Sequence, residues 1–162
     1  MKYKRIIFVA QSGTSREPMA AGIMKDLIVD SEVEILARGL VVQFPEPLNQ
    51  KAEAVMISNG IETEGFTSAQ FDESEVTPDT VIFTMETVHR ERVLENYTTV
   101  LPEQIFVLSE FVGDELEISE EVVLIEVLVS LHEVKTIFET TKATNAIFNF
   151  ILLPRFSFFI LL

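Results

Sequence analysis

The sequence predicts an α/β domain of the flavodoxin-like class, a four-stranded parallel sheet with helices on both faces. Three observations carry that expectation. Short apolar runs alternate along the chain with stretches of helical length and periodicity. The first run, residues 6–9 (Ile-Ile-Phe-Val), is continuously apolar, the pattern of a strand buried on both faces. Turn signals fall between the runs: Pro45-Glu46-Pro47, Asn59-Gly60 and Thr77-Pro78-Asp79.

The elements follow in order. Residues 2–10 form the first strand, and residues 11–17 a short polar loop. Pro18 suits the first turn of a helix, where its missing N–H is no loss. Met19, Ile23 and Leu27, with Ala20, Met24 and Ile28 beside them, give that helix, residues 18–29, one apolar face. Residues 33–40 are a second strand ending at Arg38-Gly39-Leu40. Residues 48–58 are a second helix with Ala52, Val55 and Met56 towards a core, stopped by Asn59-Gly60. A polar connection covers 65–76, a third strand 80–85, a charged and exposed helix 86–97, and a fourth strand 105–108. Residues 110–114 lead out of it.

The 162 residues suit one domain with a proper core. Acidic residues outnumber Lys plus Arg by 26 to 12, for a formal net charge of −14. Such a surface repels nucleic acid and anionic membrane. There is no cysteine, which excludes disulfides, thiolate metal sites and cysteine-based catalysis. The apolar run at 6–9 is too short for a signal peptide, so the expectation is a cytoplasmic protein.

Strand, tight loop and helix N-terminus aim several backbone N–H groups at one point, and the helix dipole adds positive charge there. The loop Gln11, Ser12, Gly13, Thr14, Ser15, Arg16, Glu17 is therefore a candidate anion site. Arg16 supplies a fork that grips a phosphoryl group or, equally, pairs with Glu17 or another carboxylate nearby.

The stretch Ala10-Gln11-Ser12-Gly13-Thr14-Ser15-Arg16-Glu17-Pro18-Met19-Ala20 resembles the catalytic loop of low-molecular-weight protein tyrosine phosphatases. The family pattern is Cys, five residues, Arg, Ser, Pro directly after the first strand. The resemblance covers residues 1–118 and implies the same flavodoxin-like fold. It places Ala10 where the family has its Cys nucleophile, and Glu17 where a Ser hydroxyl supports the thiolate. It gives Gly13 a family position that holds a positive-φ Asn, which glycine occupies without strain. Glu120 stands where the family's general-acid Asp is expected, but without the Pro and aromatic residue that follow that Asp.

In the related enzymes a thiolate attacks phosphorus, the loop amides and Arg hold the oxygens, and an Asp protonates the leaving group. Ala10 has no nucleophilic atom, and a carboxylate at 17 is expected to repel a phosphate dianion at the mouth of the loop. The hydroxyls of Ser12, Thr14 and Ser15 need a base, and His89 and His132 read as solvated helix residues. The expected function is a pseudophosphatase, an anion-binding or protein-interaction module. The alternative is a tyrosine phosphatase by descent, represented by an inactive or modified chain. A weaker one is a mononucleotide or flavin phosphate site, because the loop is rich in hydroxyls. Arsenate reduction is excluded with the thiols. No cofactor is implied, and the candidate ligands are phosphate, another small anion or a protein partner.

The acidic runs Asp72, Glu73, Glu75, Asp79 and Asp114, Glu115, Glu117 lack EF-hand spacing and read as solvated faces, so no metal site is expected. Leu124, Val127, Leu128, Leu131, Val134 and Phe138 are spaced for a last helix packed on the sheet. The α/β domain is placed at 1–140 and an apolar tail at 141–162. Pro154-Arg155 interrupts that tail and argues against a membrane span, leaving two strand-length segments suited to self-association.

Overall fold

In the computed structural model, the described residues are 3–28, 32–113 and residue 136. Expectations for Glu120, His132, the apolar stripe at 124–138 and the tail at 141–162 lie outside them. The strands are β1 (Arg5–Ala10), β2 (Glu34–Gly39), β3 (Thr80–Thr84) and β4 (Ile105–Val107). The helices are α1 (Arg16–Leu27), α2 (Gln50–Ser58), α3 (Thr87–Asn96) and α4 (Leu108–Val112), with 3-10 turns at Glu73–Glu75 and Pro102–Gln104. The sheet order is β2-β1-β3-β4, and every pairing is parallel. This is the four-stranded flavodoxin-like sheet the sequence predicts.

Alternation within β1 sorts the core into two layers. Ile6, Phe8 and Ala10 pack with Met19, Ala20, Ile23 and Met24 of α1 and with Ala52 and Met56 of α2. Ile7 and Val9 pack on the opposite face with Ile82, Ile105, Phe71, Val100 and Val93 of α3. Both faces of the strand are therefore dry, which is why residues 6–9 carry no polar side chain. Each such buried Ile, Val or Phe contributes about 1.5–3 kcal/mol relative to exposure. Phe83 joins the first layer, stacked on Phe8 with ring centroids 5.8 Å apart and edge-on to Phe111 at 5.1 Å.

Several boundaries differ from expectation, each for a local reason. β1 starts at Arg5, where pairing with Glu34 and Thr80 begins. α2 starts at Gln50 because Asn49 caps it, accepting the Lys51 N–H at 2.9 Å. Residues 108–112 form the short helix α4, closed by Gly113 in the left-handed region (φ +85°). α3 is not the exposed helix expected from its charges: His89 and Val93, one turn apart, face inward, and His89 is 3% exposed.

The polar connection after α2 is tied back to the sheet edge. Gly39 donates to the Ala69 carbonyl and accepts from Phe71 N–H, forming a parallel bridge with Gln70. Arg38 makes a two-pronged pair with Glu75, at 2.8 and 2.6 Å, and its Nη1 donates to the Ala37 carbonyl at 2.8 Å. Among the described residues no helix is long and apolar enough to cross a membrane.

Candidate anion-binding loop

Parallel pairing brings the carboxyl ends of all four strands to one edge, the edge where ligands bind in open α/β sheets. The loop 11–15 leaves that edge at the end of β1. Three backbone hydrogen bonds of 2.9 Å fix its path: Leu40 N–H to the Ala10 carbonyl, Val41 N–H to that of Gln11, and Asn49 N–H to that of Thr14. The N-cap residue of α2 thus also holds the loop. Gly13 has φ +76°, the left-handed conformation its position requires, and the backbone of Gly39 lies directly beneath it.

The structure brings Ala10, Gln11, Ser12, Gly13, Thr14, Ser15, Arg16 and Glu17 together. Ala10 is 1% exposed and presents a methyl group at the base of the loop. The Ser12 and Thr14 hydroxyls are 3.0 Å apart, bonded to each other. The helix begins earlier than Pro18, at Arg16, so Glu17 falls in its first turn. That turns its side chain inward.

Glu17 therefore does not stand at the mouth of the loop, as expected, but beneath it. It is 1% exposed, and its Oε1 accepts the Gly13 N–H at 2.6 Å. Burial raises its pKa above the ordinary glutamate value, although the N–H donors and the Arg16 charge pull the other way. The neutral acid is thus favoured more than in water, and the simple repulsion argument for a carboxylate at 17 does not hold as stated.

Arg16 pairs with a nearby carboxylate, that of Glu86. Arg16 is 3% exposed against 27% for Glu86. Glu86 was not singled out from the sequence. The signal available was its place, two residues after the end of β3, the strand beside β1, on the edge that carries the loop. A second contact missed is Arg92 of α3, whose Nη1 donates to Gln11 Oε1 at 2.6 Å. Among the described residues there is no cluster of three or more His, Asp or Glu able to hold a metal ion.

Residues 5–123 match the family model described as low molecular weight phosphotyrosine protein phosphatase. The chain belongs to the low-molecular-weight protein tyrosine phosphatase family. It is a divergent member without the family's catalytic Cys, since no cysteine occurs anywhere in it. It is 29% identical over 110 residues to the low molecular weight protein-tyrosine-phosphatase PtpB of Staphylococcus haemolyticus, covering 68% of this chain and 75% of that protein. Among solved structures it resembles the YwlE arginine phosphatase of Geobacillus stearothermophilus, with a TM-score of 0.74 and 23% identity over 86% of this chain and 95% of that one. YfkJ of Bacillus subtilis superposes with a TM-score of 0.78 at 17% identity, over 86% and 97% of the two chains. At such identities the two structures speak for the fold.

Proposed function

We propose that this chain is a pseudophosphatase: a phosphatase-family domain that keeps the phosphate-loop architecture as an anion-binding or protein-interaction module without hydrolysing esters. The observation that carries the reading is Ala10. Its methyl group, buried at the base of the loop, takes the place of the sulfur that would form the covalent phosphoenzyme. Removing a covalent nucleophile lowers turnover by at least about 10⁴-fold in enzymes of this kind of logic. The hydroxyls of Ser12 and Thr14 are bonded to each other and so are not poised as replacements.

The family membership itself supports the second reading, a phosphatase by descent whose chemistry is lost or altered in this chain. A cytoplasmic location accompanies the proposal. The strong acidic balance supports it, since such a surface has no attraction for anionic membranes.

The test is hydrolysis of an aryl phosphate by the wild-type chain, Ala10→Cys and Arg16→Ala. No turnover above a blank is expected from the wild type, and little from Ala10→Cys. Wild-type turnover that vanishes in Arg16→Ala overturns the proposal.

A further inference from the structure

Two carboxyl groups from different parts of the chain sit on the donors that an anion in this loop would use. Glu17, in the first turn of α1, takes the Gly13 N–H, and Glu86, at the start of α3, takes the Arg16 guanidinium. We infer that the loop is self-liganded: the carboxyls of Glu17 and Glu86 act as built-in acceptors on its donors, and an external tetrahedral oxyanion enters only by displacing them. The inference rests on the reading of the loop as an anion module and concerns its regulation.

The placement of Glu86 supports it. Glu86 is the N-cap residue of α3, with extended backbone (φ −140°, ψ 155°), yet no side-chain bond caps the helix. Cap side chains ordinarily turn back onto the first free N–H groups of their own helix. This one is bonded across the sheet edge to Arg16, 70 positions away in the chain.

The two carboxyls differ in how readily they can leave. Glu17 is sealed under the loop. Glu86 is about a quarter exposed and can swing into solvent. Arg16 cannot follow it, being buried, so a departing Glu86 leaves its place on the guanidinium open to another acceptor. A phosphate dianion is the natural replacement, because its oxygens accept two parallel N–H bonds from the guanidinium fork. A tethered carboxylate competes at a high effective concentration, so the apparent affinity of a free oxyanion is reduced while the pair is intact.

The experiment titrates inorganic phosphate, at constant ionic strength, into the full wild-type chain, Glu86→Gln, Glu86→Ser and Glu86→Gln combined with Glu17→Ser. Binding is read as a saturable rise in Tm and as movement of the Gly13 amide resonance. Serine is a favoured N-cap residue, so Glu86→Ser keeps the start of α3 if glutamine disturbs it. Phenyl phosphate is titrated in parallel. Tighter binding than inorganic phosphate assigns the oxyanion to an ester, equal binding to the free ion, and either supports the opening. At least tenfold tighter phosphate binding by both single variants, and tighter still by the double variant, is expected. Tight wild-type binding that the variants do not improve overturns the self-liganded loop and leaves the anion module standing. No binding by any of the four chains overturns both. Turnover of an ester by the wild type bears on the pseudophosphatase reading alone.

Discussion

Gly13 and Gly39 meet backbone to backbone. A Cβ on Gly39 would lie 2.7 Å from the Gly13 nitrogen and 2.6 Å from the Ser12 carbonyl carbon, while one on Gly13 would lie 2.9 Å from the Gly39 nitrogen. The loop after β1 can settle on the end of β2 because neither residue has a side chain. Gly39→Ala is expected to destabilise the domain by about 2 kcal/mol or more, since the obstruction is backbone. Gly13→Ala adds the left-handed φ to the same crowding. Urea denaturation of both variants checks this, and wild-type stability in Gly39→Ala would show that the loop can lift off without loss.

The raised pKa of Glu17 links stability to pH. A carboxyl whose folded pKa lies above its unfolded value holds a proton in the native state that the unfolded chain has released. Its contribution is complete below the unfolded glutamate pKa and is lost as pH rises from there through the folded pKa. The difference in unfolding free energy between wild type and Glu17→Gln should therefore fall across that window. Glu17→Gln itself should lack this component, leaving what the other carboxylates impose. A difference independent of pH would mean that Glu17 titrates as an ordinary surface acid.

Arg38 and Glu75 join β2 to the 3-10 turn before β3 through two parallel hydrogen bonds, and both side chains are largely covered. Lysine cannot reproduce that fork. Arg38→Lys should cost about 1 kcal/mol, with part of the loss disappearing at high salt. Thermal melts of the variant at low and high ionic strength read both effects.

Phe83 touches Phe8, Phe106 and Phe111 in the layer between the sheet and the helices. Phe83→Ala should cost about 3–5 kcal/mol. Phe83→Leu, closer in volume, should lose much less. Similar losses in the two would mean that the site collapses around the gap.

The order and type of the strands and of α1 to α3 were legible because residues 6–9 and 81–83 are continuous apolar runs, and because Met19, Ile23 and Ala52, Met56 keep helical spacing. The bend of the loop was legible at Gly13. What escaped depends on direction in space. Glu17 reads as a charge at a loop mouth until it is known that α1 begins at Arg16, two residues before Pro18, which turns that side chain under the loop. Glu86 is one acid among 26 acidic residues, and nothing in its neighbours names Arg16 as its partner. His89 was hidden by Arg90, Glu91 and Arg92, which make the segment look solvated, although its four-residue spacing from Val93 marks an inward stripe. Asn49 was passed over as a helix start in favour of the nearby apolar Leu48.

The tie between Gly39 and Gln70 also governs how this sheet behaves towards other molecules. Among the described residues the sheet ends in β2 and β4, and an open edge is a template on which another chain can add a strand. On β2 the end of that template is already filled: Gly39 has spent its N–H and carbonyl on residues 69 and 71, and Arg38 covers the Ala37 carbonyl with its own guanidinium. β4 offers three residues, too short a run to seed a long ladder. The contacts that fix the polar connection in place thereby also guard the domain against edge-to-edge aggregation.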